Sequence, residues 1–222
     1  MTAPRTARRQ APWTVSGIIG DHTDPPQAPA RFGEVAAHLR RRDESLMEWL
    51  PTALTGDRVV VRTPAAGDAP ALVEMATDAQ VRRYIGGPVD HATAVTRAAQ
   101  KISDPQWGQF VIVDRATGVV AGSGSLARKR GPWEISYQLR PPWWRQGLTT
   151  EAVSLILGWF FTHTDEDLVI ATTQHANTGS RRLLERLGAT HVGSFEQYGL
   201  PQERYEFYRP PPQTPPTSPL GR

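Results

Sequence analysis

The chain has 222 residues, 39% of them apolar, which suits one ordinary domain with extensions and one sizeable core. It contains no cysteine, which excludes a disulfide framework, a thiolate zinc site and a cysteine nucleophile, and points to a reducing compartment. The formal net charge is only +3 with arginines interleaved among acids, the pattern of a solvated surface rather than of a nucleic-acid binder.

The N-terminal stretch MTAPRTARRQAPWTVSGIIG lacks the apolar run of a secretory signal, and no segment approaches the roughly 20 apolar residues that span a bilayer, so a cytoplasmic protein away from membranes is expected. Residues 1–30 are rich in Pro, Ala, Thr and Arg, and residues 210–222 are rich in proline; neither can bury enough surface to offset its ordering entropy, so both are expected to be disordered. Between them, residues 31–56 carry Phe32, Val35, Leu39, Leu46, Met47 and Leu50 at near-helical spacing, a helical appendage that would dock on the main domain or on a second subunit.

The organised part, 57–209, opens on DRVVVRTP, whose valines read as a strand. AAGDAPALVEMATD reads as a helix, and AQVRRYIGG with HATAVTRAAQKI as a second helical stretch. The period then changes. Three β-type runs near 109–114, 118–127 and 132–140 are separated by DRATG and RKRGP, which predicts an antiparallel meander, with the glycines of GSGSL permitting a bulge. The apolar TTEAVSLILGWFF predicts a helix with Trp159, Phe160 and Phe161 in the core, and 167–173 a buried strand. TGSRRLLERLG predicts a helix ending at Gly188, and ERYEFYR a last strand.

A strand joined to another by a helix of this length forms a right-handed parallel crossover, so the strands ending at Leu139 and spanning 167–173 should lie parallel in one mixed sheet of an α/β domain. Ligands of such sheets sit beyond the carboxyl ends of the strands. There the sequence reads LRPPWWRQGLTTEAV: Pro141 and Pro142 stop the strand, and Arg145 to Thr149 lead into a helix whose first amides have no internal acceptor. Gly147 permits close backbone approach, and the helix end carries roughly half a positive charge, so the turn reads either as a site for a phosphate or pyrophosphate or as a tight turn whose amides meet water.

WWRQGLTTEA is similar to the pyrophosphate-binding loop of the Gcn5-related N-acetyltransferases (GNAT), especially their RimJ/RimL-like branch; Trp144 takes the opening position, and Thr150, Glu151 and Ala152 match its continuation. Arg145 stands where many relatives have glycine, and Thr149 where glycine or alanine is usual. NTGSRRLLERLGA resembles the family's N-x-x-S helix start, and the resemblance covers about 57–209. It implies the GNAT-like acyl-CoA N-acyltransferase fold: a central twisted mixed sheet with helices on both faces and two splayed parallel strands. It further implies that acetyl-CoA is the cosubstrate, its pyrophosphate on the amides of Arg145, Gln146, Gly147, Leu148 and Thr149, and its pantetheine against backbone groups of Leu139 and Arg140.

Acetyl transfer to an amine needs a base for the amine, a donor to the developing oxyanion and a proton for the thiolate. Trp133, Ile135, Tyr137 and Leu139 alternate on one strand face, leaving Glu134, Ser136 and Gln138 on the other; Glu134 is then a candidate base, with Glu203 as a second candidate and solvent a third possibility. Asn177 reads as a helix N-cap with Ser180 in the first turn. The resemblance implies that Asn177 contacts pantetheine and that Ser180 serves the thiolate. His163, His175 and His191 lack metal-ligand spacing, and no metal is implied. The expected function is acetyl-CoA-dependent N-acetyl transfer to an amine-bearing acceptor, a protein N-terminus or a small molecule, by a monomer or homodimer. A non-catalytic CoA-binding regulatory module, and nucleic-acid binding through RTARRQ and LRRR, are the alternatives.

Overall fold

The computed structural model describes residues 49–50, 53–128 and 131–211. The expected disordered segment 1–30, the appendage up to residue 48 and the tail from 212 lie outside the described residues. Of the segment 31–56, Trp49 and Leu50 are buried in the core, and Leu54–Thr55 forms a short strand.

Eight strands form one sheet: β1 (Leu54–Thr55), β2 (Val59–Arg62), β3 (Gln109–Asp114), β4 (Val120–Ala127), β5 (Trp133–Leu139), β6 (Leu168–Gln174), β7 (Thr190–Gln197) and β8 (Leu200–Tyr208), in the order β1-β2-β3-β4-β5-β6-β8-β7. Four helices accompany them among the described residues: α1 (Ala69–Thr77), α2 (His91–Ser103), α3 (Leu148–His163) and α4 (Thr178–Arg186). The sheet is mixed, because β5 and β6 are parallel while every other neighbouring pair is antiparallel.

Both faces are covered, which explains why the apolar run of β3 has no polar alternation. Phe110 and Ile112 face a core shared with Val153, Ile156 and Phe160 of α3, whereas Val111 and Val113 face a second core shared with Leu72 and Met75 of α1 and Ala98 of α2. Trp49 extends the first core: its indole donates to the Gln109 carbonyl at 2.8 Å and its ring packs edge-on against Trp159.

Two local readings are corrected and one strand is added. AQVRRYIGG is a series of turns rather than helix, because the Asp78 carboxylate takes the amides of Gln80 and Val81, and Gly86 and Gly87 both have positive φ. The bulge in β4 falls at Ala121, where the pairing steps from Ile112↔Gly122 to Val113↔Val120, and not at the glycines of GSGSL. Strand β7 carries no alternation of apolar residues, since nearly every position is exposed and the register slips between His191 and Gly193. It enters β8 through Tyr198 and Gly199, both at positive φ, a two-residue hairpin turn whose first position usually holds Asn, Asp or Gly.

Candidate active site

The parallel strands share only two rungs, Trp133↔Val169 and Glu134↔Ile170. Beyond them β6 pairs only with β8, so from Ile135 onward the edge of β5 opens into a gap. Strand residues alternate the edge to which they offer their main-chain groups. The Arg140 amide donates to the bulge carbonyl of Ala121 at 2.8 Å, so Leu139 and Tyr137 offer theirs to the gap. The Leu139 carbonyl is taken by the Trp144 indole at 2.6 Å, which leaves its N–H. The expectation that Arg140 also presents backbone to a ligand is therefore corrected: the bulge consumes its amide.

The connection out of β5 is built so that side chains pin it and amides stay bare. Pro141–Trp143 forms one 3₁₀ turn, Trp143 donates to Asp114 at 3.1 Å, and Gln146 donates to the Pro142 carbonyl at 2.7 Å. Arg140 grips Glu74 of α1 through two nitrogens, donates to the Val120 carbonyl and lies over the Trp143 ring. Arg145 has φ 61° and Gly147 φ 84°, two left-handed residues that turn the chain into α3. Gly147 is the N-cap and has no side chain to offer, so no side chain caps the first amides of α3. A Cβ on Gly147 would meet only an Arg58 guanidinium nitrogen, at 3.5 Å.

Arg58 was not singled out by sequence. Its guanidinium donates to the Gln146 carbonyl, and its amide donates to the Glu151 carboxylate at 2.9 Å, tying the β1–β2 turn to the first turn of α3. That places a cation beside the bare amides, and no periodicity links position 58 to position 147.

Across the gap, the Asn177 side chain caps α4 by accepting from the Ser180 amide at 3.1 Å. Ser180 Oγ lies 3.0 Å from the Tyr137 hydroxyl. Tyr137 was read only as a member of the apolar face of β5; the fold makes it the partner of Ser180. Burial pushes its hydroxyl up to about 12, partly countered by the serine, so it remains a proton donor at neutral pH.

Glu134 is exposed and sits on the last parallel rung, at the closed end of the gap and on the face opposite Tyr137. Further along that face, Gln138 donates to Ser123 Oγ at 3.0 Å, while its Oε1 is buried and accepts no hydrogen bond. Glu203 is quite different. Its side chain is 3% exposed and accepts from His175 Nδ1 at 2.5 Å, from Ser194 Oγ at 2.7 Å and from His191 Nε2. Those bonds, led by His175, hold its carboxyl down at about 2. Among the described residues no group of three His, Cys, Asp or Glu side chains is disposed to hold a metal ion, and no described helix is long and apolar enough to cross a membrane.

A mixed sheet covered on both faces, whose parallel strands part beside an uncapped helix N-terminus, defines an acyltransferase type of α/β fold. The model of the acetyltransferase (GNAT) domain matches residues 58–190. The chain is 27% identical over 153 residues to the uncharacterized N-acetyltransferase YoaA of Bacillus subtilis (strain 168), covering 65% of this chain and 86% of that one. A GNAT-family acetyltransferase from Bacillus anthracis has the same fold, with TM-score 0.65 at 20% identity over 71% of this chain and 99% of the other. The ribosomal-protein-S5-alanine acetyltransferase from Vibrio fischeri is also similar in fold, with TM-score 0.60 at 17% identity over 71% and 97%. The chain belongs to the GNAT acetyltransferases and is an N-acetyltransferase. Members of this family use acetyl-CoA as cosubstrate and act on amine acceptors.

Proposed function

We propose that the protein transfers acetyl from acetyl-CoA to a primary amine, on a protein N-terminus or a small molecule, by direct attack and without a covalent enzyme intermediate. The observation that carries this reading is the bare N-terminus of α3 beside the open edge of β5. A diphosphate fits there: amides from Arg145 to Thr149 donate to it, the helix end favours its charge, and Arg58 adds a cation. On this reading the Leu139 N–H and the side-chain amide of Asn177 would meet the pantetheine, and the Tyr137–Ser180 hydroxyl pair, 3.0 Å apart, would serve the sulfur with Ser180 as donor. The likeness in fold to an acetyltransferase named for a ribosomal-protein alanine supports the RimJ/RimL-like branch and an N-terminal acceptor, acting in the cytoplasm.

The test is an acceptor panel of peptides with free N-termini, a lysine peptide, spermidine and amino-glycoside amines, incubated with acetyl-CoA. Thiol release with a product heavier by one acetyl group is the expected result; no acetylated product from any amine class would overturn the reading. Ser180→Ala should lower turnover about tenfold or more while acetyl-CoA affinity stays within about threefold. Glu134→Gln should depress activity chiefly at low pH if that carboxylate takes the amine's proton, and an unchanged pH profile removes it from the role.

A further inference from the structure

Three donors occupy the Glu203 carboxylate, one on Oε1 and two on Oε2, and they hold it ionised. We propose that His175, oriented by Glu203, is the group that receives the amine's proton. This rests on the acetyl-transfer reading of the same site.

An ionised carboxylate can only accept, so Nδ1 of His175 carries the hydrogen, and in the neutral ring Nε2 then presents a lone pair. The same logic gives His191 a hydrogen on Nε2. A cluster serving only to pin strands together would bury its rings, yet the His175 side chain is 58% exposed while the carboxylate beneath it is 3% exposed. This is the arrangement by which a buried acid fixes the tautomer of a working imidazole.

The position agrees. His175 follows β6 directly, at the end where that strand has parted from β5, and its amide still pairs with the Pro201 carbonyl. Continuing the register of the two shared rungs, Tyr137 stands level with Thr173, whose partner on β8 is Glu203. Tyr205, two residues beyond Glu203 on the same strand face, touches Arg181 and Glu185 of α4, the helix whose Ser180 meets Tyr137. Tyr137, which meets Ser180, and Glu203, which holds His175, therefore lie on one face and at one level, with His175 two residues beyond Thr173 and two residues before the Asn177 cap of α4. His191 is on the edge strand, its ring against Tyr205, farther from the gap.

In the step, the amine nitrogen bonds to the acetyl carbon as the C–S bond breaks. The proton shed by nitrogen goes to His175 Nε2, directly or through one water, and from there to solvent. Ser180 gives a proton to the departing sulfur and regains one from Tyr137, which recovers it from solvent.

The test has two arms. Nitrogen-15 NMR of the imidazoles in the protein alone should show His175 as the Nδ1–H tautomer, a preference lost in Glu203→Gln; an Nε2–H tautomer in the wild type overturns the proposal. With acetyl-CoA and any panel amine that the wild type acetylates, His175→Ala should lower kcat about 100-fold or more. KM for acetyl-CoA should stay within about twofold, and added imidazole should restore part of the rate. A kcat within about threefold of wild type, or a loss that imidazole does not restore and that accompanies a fall in Tm, overturns it. If the wild type acetylates no amine, the acetyl-transfer reading fails instead, and the tautomer measurement still judges His175.

Discussion

Arg145 has φ 61° with an exposed side chain, a conformation that costs a residue with a Cβ about 1–2 kcal/mol. Glycine would remove that strain, at some cost in unfolded-chain entropy. Arg145→Gly should therefore stabilise the protein by about 0.5–1 kcal/mol, read as a rise in Tm of a few degrees, and an unchanged or lower Tm would show the arginine to be held by more than its backbone. Tyr137→Phe removes the hydroxyl 3.0 Å from Ser180 and keeps the ring. On the proposed assignment it should lower kcat about tenfold and leave Tm within about two degrees, since the lost bond contributes about 1 kcal/mol. Glu203 makes a claim about acid. Its folded pKa, about 2, lies below the usual 4.5, so its contribution to stability is fully present above the unfolded value and is lost as the pH falls from about 4.5 toward 2. Tm measured across that window should fall more steeply in the wild type than in Glu203→Gln; parallel curves would mean that the three donors do not stabilise the ionised form.

At the scale of elements, β4 decides where the gap can open. A Cβ on Gly124 would lie 2.3 Å from the Ser136 carbonyl oxygen and 2.4 Å from the Phe110 ring, so only glycine lets β4 and β5 approach as they do. Gly124→Ala should cost about 1–3 kcal/mol, and because β5 would be displaced, acetyl-CoA binding should weaken along with stability. Retention of both by the variant would show that the strands yield without consequence. The long apolar runs of α3, β3 and β6 were legible in the sequence, in β3 because burial on both faces leaves the run unbroken. The β7–β8 hairpin was not, because β7 is exposed along its length and its turn places a tyrosine where the usual signal is Asn or Asp. The Asp78 turn hid in the same way: its carboxylate competes with helix for two amides, and a helix-like pattern of residues does not reveal the competition.

For the whole molecule, the proposed function predicts that acetyl-CoA stabilises the folded state. At a concentration 100 times its Kd the gain is about 2.7 kcal/mol, several degrees in Tm, and the absence of any shift at millimolar acetyl-CoA would count against the diphosphate site at α3. By itself the sequence determined the strand–helix–strand order, hence a parallel pair, and the glycine turn that leaves a helix start without a cap, because both follow from neighbours along the chain. It could place Ser180 and Asn177 in a first helical turn for the same reason. Only the tertiary structure decided that Tyr137 meets Ser180, that Arg58 reaches the loop at Gln146, and that His175, His191 and Ser194 share the Glu203 carboxylate. Those groups come from separate strands, turns and helices, and which side chains meet across a sheet depends on register and on where two strands part, quantities that no local pattern carries.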